Sequence, residues 1–147
     1  MWPGSTSATR SQSGSISTGI STVGDLEASI AWYREKLDFN VVNRVTLDHI
    51  PAKVAFLQHG DFAVELFEVP EASPLPEDRR HPDQDVRTHG TKHIAFAVKD
   101  LNKVADTLKK GGVDFAKEVT EIDQTLMAFI RDNSGNLIEL MQQPELF

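Results

Sequence analysis

Two glutamates and one histidine stand where strand chemistry calls for apolar side chains. In FAVELF, a period of two sets Ala63, Glu65 and Phe67 on one sheet face and Val64 and Leu66 on the other. In NLIELM, Leu137, Glu139 and Met141 share a face, with Ile138 and Leu140 opposite. An ionised carboxylate among such neighbours is costly unless it is paired or bound to a metal. His93 raises the same question, because it opens the apolar run HIAFAV on the face of Ala95 and Ala97, whose small side chains leave space above the sheet. The chemistry open to these residues is an ion pair, a metal site or proton transfer.

The elements that must position them repeat along the chain. From Ile16 onward the pattern reads strand, helix, three strands, and then the same again. A first helix is expected over about Asp25–Lys36: Asp25 is a natural N-cap, and Leu26, Ile30, Tyr33 and Leu37 form one apolar stripe. A second is expected over about Asp100–Lys110, with Leu101, Val104, Ala105 and Leu108 on one face and Lys109 and Lys110 suited to its negative end. Strands are expected at Phe39–Leu47, Lys53–Leu57 and Phe62–Val69, then at Val113–Val119, Thr125–Arg131 and Asn136–Gln142. Asp25 and Asp100 lie 75 residues apart, Gly60 and Gly135 also 75, and Glu65 and Glu139 74. The expected fold class is therefore α+β, built from two tandem βαβββ modules.

Residues 16–69 form the first expected module and residues 92–142 the second. Residues 1–15, rich in Ser, Thr and Gly, read as a disordered tail, and 143–147 as a C-terminal tail. Residues 70–91, with four of the seven prolines, read as a linker over the surface rather than as an element.

Composition narrows the partners. The 147 residues carry a formal net charge of −7, and an acidic surface repels phosphate backbones and anionic lipid, so neither nucleic acid nor a membrane is expected. The absence of cysteine excludes disulfides, thiolate nucleophiles, zinc ribbons and iron–sulfur clusters. No run has the length of a spanning helix, and residues 1–15 hold no apolar signal-peptide core, so a cytoplasmic location is expected.

The stretches DLEASIAWYREKLDF, VAFLQHGDFAVELFEVP, GTKHIAFAVKDL and FIRDNSGNLIEL together resemble the vicinal oxygen chelate superfamily, which includes glyoxalase I, methylmalonyl-CoA epimerase, bleomycin resistance proteins and extradiol dioxygenases. The resemblance implies curved mixed sheets forming a glyoxalase-like cleft around a divalent metal, a small-molecule substrate and a homodimer. It places metal ligands on Glu65, His93 and Glu139. The fourth ligand position falls on Thr18, or on Ser17 if a one-residue bulge precedes Asp25, and a hydroxyl is a weak ligand there. One imidazole and two carboxylates suit Zn, Mn, Co, Ni or Fe alike.

The run PAKVAFLQHGDFAVELFEVP most resembles methylmalonyl-CoA epimerase. By that resemblance Glu139 is a catalytic proton carrier as well as a ligand, and His49 stands where the family has a second carboxylate. A histidine side chain titrates near neutrality and can shuttle a proton. His59 and His81 lie in polar, turn-like contexts and receive no role. His89, about 13 Å from His93 along an extended strand, is too far to share an ion. The leading expectation is a metal-assisted isomerase, epimerase or lyase that abstracts a proton next to a carbonyl. The alternative is a metal-free protein that sequesters a ligand, as bleomycin resistance proteins do.

Overall fold

The structure, a computed structural model, describes residues 17–146; the expected N-terminal tail lies outside the described residues. The chain divides into two compact units, one ending at Pro74 and the other beginning at Leu75.

In unit 1, β1 (Ser17–Thr22) leads to α1 (Leu26–Leu37), followed by β2 (Asn40–Leu47), β3 (Ala52–His59) and β4 (Phe62–Glu68). The helix starts where the sequence provides a cap: Asp25 is extended and its carboxylate accepts from the Ala28 amide at 2.9 Å. A second free amide of that first turn, Leu26 N–H, donates to Glu68 Oε2 at the end of β4, at 2.7 Å. That bond first, and the Lys53 ammonium second, hold the Glu68 carboxyl below its ordinary value. The stripe of Leu26, Ile30, Tyr33 and Leu37 is buried, with Ser29 beside it. Asp38 then takes the left-handed conformation at φ 58° and ends the helix.

The sheet order is β1-β4-β3-β2, with β1 parallel to β4 and the other pairs antiparallel. Val64 and Leu66 lie opposite Leu57 and Ala55, and these four are wholly buried on the face that meets α1. Ala63, Glu65 and Phe67 occupy the other face.

Unit 2 repeats the plan. Its elements are α2 (Pro82–Asp85), β5 (Ile94–Ala97), α3 (Leu101–Lys110), β6 (Asp114–Ile122), β7 (Thr125–Arg131) and β8 (Leu137–Gln142), and its sheet order is β5-β8-β7-β6. Asp100 caps α3 through Lys103 N–H at 3.0 Å, and Leu101 N–H donates to Gln142 Oε1 at 2.8 Å, the counterpart of the Leu26–Glu68 bond. Leu101, Val104, Ala105 and Leu108 are buried as the stripe predicts. Even the register irregularity recurs: β2 shifts between Val41 and Asn43, and β6 between Phe115 and Lys117. Two four-stranded mixed sheets, each with its helix, make this the expected α+β, glyoxalase-like class. Among the described residues no helix is long and apolar enough to cross a membrane.

The prolines of residues 70–91 do not keep that stretch free of structure. Glu77–Arg80 forms a 3₁₀ turn and Pro82–Asp85 one turn of α-helix, with Pro82 at the first helical position, where its fixed φ fits and no amide is missed. Pro144–Leu146 likewise forms a 3₁₀ turn inside the expected C-terminal tail.

Candidate functional site

The register places each candidate. Glu139 lies beside Ala95 of parallel β5 and opposite Phe129 of β7. His93 precedes β5 by one residue, two before Ala95, and so falls on Glu139's face. Its Nε2 lies 2.9 Å from Glu139 Oε2, with side-chain exposures of 15% and 13%. The Phe129 ring meets the imidazole edge-on, centroids 5.0 Å apart at 89°. The structure therefore brings His93 and Glu139 together in unit 2, against an aromatic wall.

Phe129 escaped the sequence reading. Its signal was the repeat itself, since Glu65 in unit 1 also lies opposite a phenylalanine, Phe56.

In unit 1, Glu65 lies beside Ile20 of β1. Ile20 therefore corresponds to Ala95, and Thr18 to His93. Thr18 shares the face of Glu65, whereas Ser17, one residue away, points to the opposite face. Thr18 is exposed, and Ile20 is 67% exposed. His49 sits in the exposed turn between β2 and β3. His59, expected in a turn, instead ends β3, where Nδ1 lies 3.1 Å from the Asp38 carbonyl oxygen; it serves the closing turn of α1. His81 precedes α2 and pairs with Glu77 at 3.1 Å.

The unit 2 pair fits a divalent ion in one respect and falls short in another. Two donors at about 2.1 Å from one ion, at right angles to each other, lie about 3 Å apart, close to the His93–Glu139 separation. A ligating imidazole normally passes its second ring N–H to an acceptor, which fixes the ring. Here Nδ1 is buried and has no hydrogen-bond partner. Among the described residues of unit 2, no third His, Asp or Glu joins the pair.

A family model, described as the Glyoxalase/Bleomycin resistance protein/Dioxygenase superfamily, matches residues 17–140. The chain belongs to that superfamily. Among its relatives is the uncharacterized protein YurT of Bacillus subtilis, 26% identical over 121 residues that cover 82% of this chain and 93% of YurT. A probable lactoylglutathione lyase of Vibrio parahaemolyticus is 26% identical over 125 residues, covering 84% of this chain and 86% of the relative. The crystal structure of a glyoxalase family protein from Enterococcus faecalis superposes with a TM-score of 0.70 at 22% identity, covering 86% of this chain and 95% of that one; this is a likeness of fold. His93 immediately precedes the first strand of the second βαβββ unit and Glu139 lies in its last, and Thr18 and Glu65 hold the corresponding positions of the first.

Proposed function

We propose that this superfamily member is a metal-assisted enzyme acting on a small carbonyl compound by proton abstraction next to the carbonyl. The observation that carries the reading is the His93–Glu139 pair, two metal-ligand side chains 2.9 Å apart on a half-buried sheet face. His93 and Glu139 are the proposed protein ligands for a divalent ion in unit 2, and Glu65 is a proposed ligand in unit 1. Such an ion would act as a Lewis acid toward the substrate carbonyl oxygen.

The chain's own residues do the rest. The Glu139 carboxylate takes the proton from the carbon next to the carbonyl and returns it; in the metal-free protein His93 Nε2 lies 2.9 Å from its Oε2 and keeps the two side chains together. His49 is the proposed second proton carrier, the role its place in the epimerase-like run implies. Phe129 supplies a dry wall beside the carboxylate, where a charge in transit interacts more strongly than in water. The relative named as a probable lactoylglutathione lyase supports a lyase outcome. The proposed working form is a cytoplasmic homodimer.

The test is deuterium wash-in next to the carbonyl of candidate compounds, followed in deuterated water with Zn, Mn or Co supplied. Exchange that depends on added metal and disappears in Glu139→Gln is the expected result. Tight binding of a compound with no exchange under any metal would overturn it.

A second reading, a protein that sequesters its ligand without turnover, draws on the hydroxyl of Thr18 at the position that corresponds to His93.

A further inference from the structure

The helical turns at residues 77–85 form a strap tied to β6 and β7 of the unit 2 sheet and in contact with the segments that lead into β5 and β8. At β6, Lys117 Nζ donates to Asp83 Oδ1 at 2.9 Å. At β7, Arg131 Nε donates to the Arg80 carbonyl oxygen at 2.9 Å. At the turn into β8, the Arg80 guanidinium covers Gly135, where an added Cβ would come within 3.1 Å of Arg80 Cζ and φ is +88°. Just before β5, Arg79 Nη2 donates to the Thr91 carbonyl oxygen at 3.4 Å. Lys117 and Arg131 lie opposite Phe129 and Leu137, which puts both on the face of Glu139. The ties fall at the end of the sheet where His93 enters.

Asp85 closes the strap. Its side chain is only 2% exposed, and Oδ1 accepts from Arg79 Nε at 3.0 Å, with Lys92 Nζ at 3.8 Å. A carboxylate buried this far must be matched by charge, and removing it strands the cations gathered around it. Lys92 is covalently next to His93. Arg79, held by the same carboxylate, donates to the Thr91 carbonyl oxygen, so Asp85 restrains the two residues that lead into His93.

His93 depends on that restraint more than a metal-ligating histidine usually does. Its ring makes one hydrogen bond, to Glu139, and Nδ1 has no partner to fix it from behind. Its orientation rests on the edge contact with Phe129 and on its backbone position.

We propose that Asp85 is a positioning residue for His93, acting by tying the strap to Lys92. For metal affinity the proposal rests on the metal-assisted reading above; for the metal-free protein it does not.

The test uses the full chain, with Asp85→Asn and Lys92→Gln as variants and Glu77→Gln as control. In metal-free protein, the His93 ring nitrogen signals (identified by their loss in His93→Gln) are recorded by NMR, and Co²⁺ is then titrated in. Both variants should shift or broaden the His93 signals and weaken Co²⁺ binding roughly 10-fold or more, the scale on which supporting partners act at metal sites. Glu77→Gln should do neither. Should Asp85→Asn fail to fold, Lys92→Gln breaks the same tie from a partly exposed side chain. His93 signals identical to wild type in the folded variants would overturn the proposal, even if their melting temperature falls. Wild type that ignores Co²⁺ would sink the metal reading, and the metal-free spectra would still decide the role of Asp85.

Discussion

Units 1 and 2 agree wherever the backbone must be built and differ where chemistry would be done. Each caps its helix with an aspartate, and each sends a second oxygen from the end of its last strand to the first helical amide, Glu68 in one and Gln142 in the other. Each bulges its edge strand at the same repeat position and sets its glutamate opposite a phenylalanine. At the residues flanking those glutamates the correspondence breaks. Unit 2 has His93 and Ala95; unit 1 has Thr18 and the larger, exposed Ile20. The lesson is that the scaffold tolerates two different sets of side chains at these positions, so the fold alone does not fix the chemistry.

The sharpest way to separate the halves is to neutralise each glutamate in turn. Glu139→Gln should lower metal-dependent turnover by about 10²–10⁴-fold, the usual worth of a proton-transferring group. Glu65→Gln, which removes a proposed ligand but no proton carrier, should act chiefly by raising the metal concentration needed. Steady-state rates across a metal series would distinguish them.

The scaffold should respond evenly instead. Leu66→Ala and Leu140→Ala remove equivalent, wholly buried side chains, and each should cost about 2–5 kcal/mol in chemical denaturation. A large inequality between them would mean that the two cores are packed differently despite the shared pattern.

Much of this plan was legible in the chain. The helical stripes, the aspartate caps and the faces of Glu65 and Glu139 follow from periods of 3.6 and 2, which need no tertiary information. The strap was not legible, because prolines and charges at 70–91 read locally as a loop. Its turns hold to the sheet through Arg131 and Lys117, whose partners Arg80 and Asp83 are distant in sequence. Nor could sequence decide between Thr18 and Ser17, since a one-residue slip reverses the faces; pairing of Ile20 with Glu65 decides it.

Two gentler tests probe the remaining differences. Thr18→His should make unit 1 resemble unit 2 and tighten Co²⁺ binding several-fold, because imidazole is a better ligand than a hydroxyl. Unchanged affinity would show that the Thr18 position takes no part in metal binding. The helix caps should differ in acid. Glu68 has its folded-state value depressed below the ordinary 4.5, so its contribution is complete above that value and is lost as pH falls through the lower, folded-state value. Gln142 does not titrate. Amide exchange at Leu26 should therefore accelerate at acid pH relative to the intrinsic rate while Leu101 stays protected; equal behaviour would rule out the carboxylate cap as the acid-sensitive link.

The central claim is that His93 and Glu139 hold a divalent ion, and calorimetric titration of Co²⁺ into chelator-treated protein tests it most directly. Wild type should bind one ion per chain, and both His93→Gln and Glu139→Gln should weaken that binding sharply while leaving the melting temperature near that of metal-free wild type. Binding of equal strength in all three proteins, or none in wild type, would contradict the account and favour a cleft that only binds its ligand.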